Sequence, residues 1–280
     1  NPQIQEEQLE WEKETLSMLD SSDPVDFAWI DDEQNNGGKT EGEWKFINKN
    51  EGPVFSQQFS RKQHTEKEKT IQHFFQGANR KITLSKNDTL FAYVWIDAEK
   101  PPKTIMLQWN DGSWDHRAFW GQDKIGFGEI GTDTDAHRFM GKLPQSGQWI
   151  RLEVNLTSVG LEPGSKLNGI AFVQHGGTAF WDSAGVRTTR DSQVRSLHPE
   201  KVLSVLPVNH VIRTADQQKT VTEYYRTITP LLDETRDKIS NLQKEKSEIE
   251  KESPYSLTTV SVSPKTTRIL PRGNWMDDSG

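Results

Sequence analysis

Residues 90–121 read LFAYVWIDAEKPPKTIMLQWNDGSWDHRAFWG, and their alternation decides the fold class. In the first eight, Leu90, Ala92, Val94 and Ile96 alternate with Phe91, Tyr93, Trp95 and Asp97. A period of two is that of a strand with one face on a core. The other face is unusual, because solvent-facing positions normally carry Thr, Lys or Glu. A row of rings ending in a carboxylate is either covered by protein or binds something. Ile105, Leu107 and Trp109 continue the pattern inward, which turns Gln108 and Asn110 outward. After the Asp111-Gly112 turn, Trp114, His116 and Trp120 share one side, and Arg117 and Phe119 the other.

Working outward, strands are expected near 26–30, 43–47, 70–76, 81–84, 90–97, 104–109, 115–120, 149–155, 169–175 and 178–186. Turn signals stand at Asn36-Gly37-Gly38, Pro101-Pro102, Asp111-Gly112, Pro163-Gly164 and Gly176-Gly177. So many short strands without an intervening amphipathic helix predict a mainly β protein, a β-sandwich or barrel. The flanks differ. Residues 2–20 lack Gly, are rich in Glu, Gln and Leu, and place Ile4, Trp11 and Met18 seven apart, with Leu9, Leu16 and Leu19 widening the apolar stripe. Residues 214–252 carry Val221, Tyr225, Ile228, Leu232, Thr235, Ile239, Leu242, Lys246 and Ile249 at alternating steps of four and three, broken at Pro230. Two readings stand for this helix: docked at its first half, or paired with the N-terminal helix as an antiparallel stalk. The expected organisation is an N-terminal helix (1–22), a sandwich (23–190), a helical segment (191–252) and an extended tail (253–280).

Composition narrows the function. Of 280 residues, 32% are hydrophobic and 27% charged, so the apolar material must be concentrated, as the ten Trp and twelve Phe largely are before residue 182. A net charge of −7 with no basic cluster among the aromatics argues against nucleic acid. With no Cys, disulfides, thiolate metal sites and covalent haem are excluded within this chain. No apolar run reaches membrane-spanning length, so membrane insertion is not expected. The start at Asn1 and the polar end at Gly280 suggest a piece of a longer protein.

Two stretches resemble known families. WIRLEV (149–154), VGLEPG (159–164), LNGIAF (167–172) and GTAFWDSAGV (177–186) are similar to the closing strands of galactose-binding-like jelly rolls, a fold common among carbohydrate-binding modules; the resemblance spans about residues 25–190. In the tail, LTTV (257–260) and PKTTRILPRGNW (264–275) resemble the segment opening the C-terminal conserved domain of large planctomycete proteins that also carry a cytochrome-c-like domain. Lys265 and Pro271 depart from that pattern. The resemblance implies a jelly-roll β-sandwich insert in an exported parent, periplasmic or at the cell surface, in contact with other domains of that parent. It also implies a structural Ca²⁺ joining acids near the first strand, Asp31, Asp32 and Glu33, to Asp182 of the last, all oxygen donors.

Sugar recognition needs flat apolar surface for the C–H face of a pyranose and amide, carboxylate or guanidinium groups for its hydroxyls. Tyr93, Trp95, Trp109, Trp114 and Trp120 are candidate platforms, although any single ring here serves a core equally well. Gln108, Asn110, Asp115, His116, Arg117, Gln174 and His175 are candidate polar partners, a set hard to bury together. The expected function is non-catalytic binding of a polysaccharide or oligosaccharide. One alternative is an assembly module whose aromatic face is covered by neighbouring domains. A glycan-cleaving enzyme is the other, using Asp115 with Glu129 or Asp133 as paired acids, which must lie roughly 5–10 Å apart across the sugar.

Overall fold

The computed structural model describes residues 2–32, 38–252 and 263. Twelve strands run in chain order: β1 (Pro24–Ile30), β2 (Lys39–Glu41), β3 (Lys45–Asn48), β4 (Phe59–Gln76), β5 (Ile82–Thr83), β6 (Thr89–Ile96), β7 (Thr104–Asn110), β8 (His116–Gly121), β9 (Arg138–Gly141), β10 (Trp149–Asn155), β11 (Lys166–Leu167) and β12 (Gly169–Thr189). The helices are α1 (Pro2–Met18), α2 (Arg190–Leu197), α3 (Glu200–Leu203), α4 (Ala215–Ile228) and α5 (Asp233–Glu252). The chain divides into two compact units between Tyr225 and Arg226.

The first unit is a β-sandwich with flanking helices, and two long strands run through both of its layers. β4 and β12 pair antiparallel from Ile170↔Phe75 to His175↔Thr70, then from Gly177↔Thr65 to Trp181↔Arg61. The start of β12 pairs with β7, which leads to β8 and, in parallel, to β9; this is the first layer. Its later part pairs with β6 and through it β10, while β1 lies along the last residues; this is the second layer. Between them lies one core, with Ile105, Leu107, Trp109, Ile170 and Phe172 from the first layer and Leu90, Ala92, Val94, Ile96, Leu152 and Trp181 from the second. Each large side chain so buried contributes about 1.5–3 kcal/mol.

Gly176-Gly177, expected as a turn, lies inside β12 instead. Both glycines take positive φ (70° and 63°), which lets the strand bulge and pass from one layer to the other without breaking. β4 likewise begins at Phe59 rather than near residue 70. Its first half, polar and charged in sequence, hides inward-facing Arg61 and Gln63, of which Gln63 donates to Phe172 O (3.0 Å) and accepts from Trp181 Nε1 (3.0 Å).

At the sandwich end, Val194, Leu203, Val205, Leu206 and Val221 form a second core, joined by Trp11, Met18 and Leu19 of α1. The helices of this unit therefore form a compact cluster rather than an extended stalk. The buried face of α1 also differs from expectation: Gln8, Glu12 and Thr15 are inside, while Leu9 and Leu16 are exposed. Glu12 is drawn in by Arg213, 2.7 Å away and itself buried, and Gln8 bonds both Glu12 and Thr222. Trp11 packs on Tyr224 and Tyr225 of α4. In the second unit, Arg236 caps the carbonyls of Arg226 (2.9 Å) and Thr229 (2.8 Å) at the Pro230 break. α5 follows with Ile239, Leu242 and Ile249 exposed. Among the described residues no helix is long and apolar enough to cross a membrane. The tail resemblance at 257–275 lies outside the described residues.

Candidate functional site

On the outer face of the first layer, strand alternation collects Gln72, Phe74 and Gln76 from β4, Ala171 and Val173 from β12, Met106 and Gln108 from β7, and Arg117 and Phe119 from β8. The pairings Ala171↔Phe74, Ala171↔Gln108 and Gln108↔Arg117 set them side by side. Around Ala171, whose methyl leaves the floor low, opens a hollow of about 280 Å³ walled by Phe74, Trp114 and Phe127 and edged by Gln72, Gln108 and Arg117. Phe74 and Trp114 meet edge to face, 5.4 Å between centroids. Phe127 is held by its carbonyl, 2.7 Å from Nδ1 of buried His137, whose Nε2 lies 2.7 Å from Asp123.

The polar rim is pre-oriented. Trp114 Nε1 donates to Gln76 Oε1 (3.2 Å), turning the indole face to the hollow's side. Arg117 Nε donates to Gln108 Oε1 (2.7 Å) and Nη1 to Ala136 O (3.0 Å), with Asp115 3.7 Å away. Partial burial pulls the Arg117 guanidinium below its usual pKa and Asp115 offsets part of this; the group stays charged at neutral pH. Among the described residues its Nη2 makes no hydrogen bond, and the Gln108–Gln72 contact is loose at 3.5 Å. Both amides and the guanidinium therefore keep capacity for a ligand.

Of the residues singled out in sequence, this hollow unites Gln108, Trp114 and Arg117. Trp114 joins Arg117 rather than His116 because it sits in the turn before β8, where alternation does not apply. Trp109 and Trp120 are core, with Trp120 only 7% exposed. His116 faces inward and ties Val159 O (2.7 Å) and Asp111 (3.2 Å). Asn110 is buried and closes its own turn through Gly112 N (3.1 Å). Gln174 is fully buried, its amide donating to Gly176 O and Gly177 O (2.8 Å each), so it serves the bulge. His175 pairs with Thr70.

Tyr93 and Trp95 lie elsewhere, on the outer face of the second layer. There Phe55 stacks on Tyr93 (3.7 Å, 18°), Trp149 meets Trp95 edge-on (6.0 Å), and Arg151 covers Phe91 (4.1 Å) while bonding Asp26 and Glu153 (2.7 Å each). Tyr93, Trp95 and Trp149 are half-buried in this row, as Phe74, Trp114 and Phe127 are in the first-layer hollow, and Phe55 is 44% exposed. Sequence reasoning missed Gln72, Phe74 and Phe127; the repeat Gln72, Phe74, Gln76 at period two was a signal that could have found the first two.

The acids implied for calcium are gathered but otherwise engaged. Asp31 accepts from Ser56 Oγ (2.6 Å) and Gln57 Nε2 (2.8 Å), and Asp32 from the backbone N–H of Gln58 and Phe59. Asp182 accepts from the N–H groups of Phe55 (2.8 Å), Ser56 (3.2 Å) and Ser183 (2.8 Å). Burial pushes the Asp182 carboxyl up to about 6 against the pull of the Phe55 and Ser56 amides, a hydrogen bond with Asp31 adds to the rise, and Arg61 opposes it. Fully buried Arg61 supplies the local positive charge, its own pKa lowered by burial to about 10. Ca²⁺ takes six to eight oxygens. Here N–H groups and the Ser56 hydroxyl donate to those oxygens, and among the described residues no three His, Cys, Asp or Glu groups gather in a way that fits a metal. Glu33 lies outside the described residues.

Comparison with known proteins yields no matching family model and no matching curated protein. Solved structures overlap in part. They include TmCBM61 in complex with beta-1,4-galactotriose (11% identity over 55% of this chain and 90% of that one, TM-score 0.34). A second is the CBM22-2 xylan-binding domain of Paenibacillus barcinonensis Xyn10C (12%, 57% and 97%, TM-score 0.33). A third is SGBP-B from a xyloglucan utilization locus in Bacteroides uniformis (13%, 62% and 50%, TM-score 0.33). With overlaps this partial, the β-sandwich assignment rests on the strand pairing and the single core between two layers.

Proposed function

We propose that this chain is a non-catalytic carbohydrate-binding module whose site is the hollow over Ala171. The observation that carries the reading is the meeting of Trp114 and Phe74 with the Gln72, Gln108 and Arg117 side chains on one open face. Half-buried rings offer the C–H face of a pyranose a flat contact, and the amides and guanidinium suit vicinal hydroxyls. Ligand pockets commonly run to about 300–1,000 Å³, so this small hollow suits a shallow contact. An affinity of about −4 to −6 kcal/mol, high micromolar to millimolar, follows, with multivalency raising it in use.

The lining residues include no carboxylate, which speaks against two-acid glycoside hydrolysis at this place. Asp115 stands beside Arg117 at the exposed rim, and Asp133 is held by Arg138 (3.0 Å) and by Phe139 N–H (3.1 Å). The same proposal sets the module in a larger exported protein, periplasmic or at the cell surface, a reading supported only by the tail motif. Affinity electrophoresis against a broad polysaccharide panel tests the binding role. At least one polymer should retard the chain, and Trp114→Ala should weaken binding about 5- to 30-fold, the loss of one ring contact worth roughly 1–2 kcal/mol, with unchanged melting temperature. No retardation on any polymer would refute the module. It would favour assembly through the Phe55, Tyr93, Trp95 and Trp149 row, and release of reducing sugar would revive an enzyme.

A further inference from the structure

A hollow larger than the candidate site, and next to it, is not aromatic but cationic. It measures about 470 Å³, shares Gln72 with the sugar hollow, and is lined by Lys45, Lys62, Lys69 and His64 with Glu43 as its single acid. Its origin is topological. β2 pairs with β4 at residues 74–76 and β3 at residues 59–62, so among the described residues no strand lies along the edge of β4 away from β12 between Gln63 and Ile71. The same stretch bulges opposite Gly176, where the pairing with β12 shifts register.

Three lysines face one carboxylate here, and Lys62 Nζ also lies 5.7 Å from the centre of the Phe180 ring. Lys45 and Lys62 stand directly opposite each other across β3 and β4, a like-charge pair that is unfavourable unless an anion sits between them. Among the described residues none of Lys45, Lys62 and Lys69 forms an ion pair. The neighbouring acids are taken by other cations: Glu66 by Lys100 (2.7 Å) and His64 (2.9 Å), and Glu68 by Lys103. In a chain of net charge −7 a pocket of spare lysines is contrary to the general balance.

The geometry points to an acidic polysaccharide as the ligand, with the C–H face of one sugar ring on Trp114 and Phe74 and the carboxylate or sulfate of a nearby sugar in the lysine hollow beyond Gln72. This inference rests on the carbohydrate-binding reading above and names the substrate class of the same groove.

Isothermal titration and affinity electrophoresis of the full chain decide it, using matched polymers: polygalacturonate against its fully methyl-esterified form for the carboxylate, and a sulfated galactan against its desulfated form for the sulfate. One acidic polymer should bind at least about tenfold more tightly than its neutral counterpart, and the preference should fade at high salt. Lys45→Gln/Lys62→Gln/Lys69→Gln should abolish the preference, at about two- to fivefold per lysine for exposed pairs, without lowering the melting temperature. Trp114→Ala should weaken the acidic and neutral polymers alike. Equal binding of both members of each pair, unaltered in the triple variant but weakened by Trp114→Ala, overturns the inference and leaves the sugar site standing. Binding of acidic polymers that ignores Trp114→Ala yet vanishes in the triple variant overturns both readings, since it is polyanion attraction without sugar recognition.

Discussion

Replacing Arg61 by Met gives the sharpest test of how this sandwich tolerates charge in its core. The guanidinium is fully buried over Phe172 (4.6 Å) and Trp44 (5.8 Å), contacts that a thioether largely keeps. It makes one long hydrogen bond, Nη1 to Asp31 O (3.4 Å), and Nε and Nη2 have no partner, so its loss also relieves a desolvation cost. Its main favourable role is to offset Asp182. That carboxyl titrates near 6 in the fold against about 3.9 unfolded. A folded-state pKa raised in this way means the folded chain holds the proton more tightly; the stabilisation is complete below about 3.9 and lost as pH rises through 6. At two units, ionised Asp182 costs at most about 3 kcal/mol even with Arg61 present, less after solvent screening. Without Arg61 the carboxyl rises further. Arg61→Met should therefore destabilise by about 1–3 kcal/mol more at pH 8, where the folded chain must either ionise Asp182 without its counter-charge or keep it protonated against the solvent, than at pH 5, where it is already protonated. His73, whose pKa is lowered by burial and then by Arg61, acts in the same sense, because the variant makes its protonation at pH 5 easier. Urea midpoints at the two pH values measure the difference, which is worth roughly 4–8 °C in melting temperature. Equal losses at both pH values, or a larger one at pH 5, would refute the electrostatic account of this core.

Gly185→Ala places a methyl 1.9 Å from Phe27 O and 2.8 Å from Trp29 N, so β1 must move off β12; a loss of about 1–3 kcal/mol or more is expected from urea denaturation. Because N–H and O–H donors occupy oxygens of Asp31, Asp32 and Asp182, millimolar calcium and chelator should give the same melting temperature within about a degree, and a clear rise with calcium would show that these carboxylates take a cation after all.

Much of the strand framework was legible because period two carries information locally. Leu90, Ala92, Val94 and Ile96 all face the core, as do Ile105, Leu107 and Trp109, each side chain inward where alternation put it. Alternation fails wherever a turn or bulge intervenes. Trp114 changed sides in the turn before β8, and two consecutive glycines that read as a turn carry one strand through two layers. Polarity misled at α1, where Glu12 is buried and Leu16 exposed, because the partner that makes burial of Glu12 favourable, Arg213, is remote in sequence.

The amino-acid order alone determined that the middle of this chain is mainly β, a sandwich or a barrel, with its rings in and beside the core, because the side of a strand on which a residue lies depends only on its neighbours. Which layer each strand joins is set by long-range pairing, and that alone separated Tyr93 and Trp95 from Gln108 and Arg117, which a shared stretch of sequence had grouped together. The tertiary structure likewise brought Phe74 of β4 to Trp114 and opened the edge of β4 beside three lysines. A binding face is a property of adjacent strands, and adjacency is decided by how the backbone hydrogen bonds close across the whole domain.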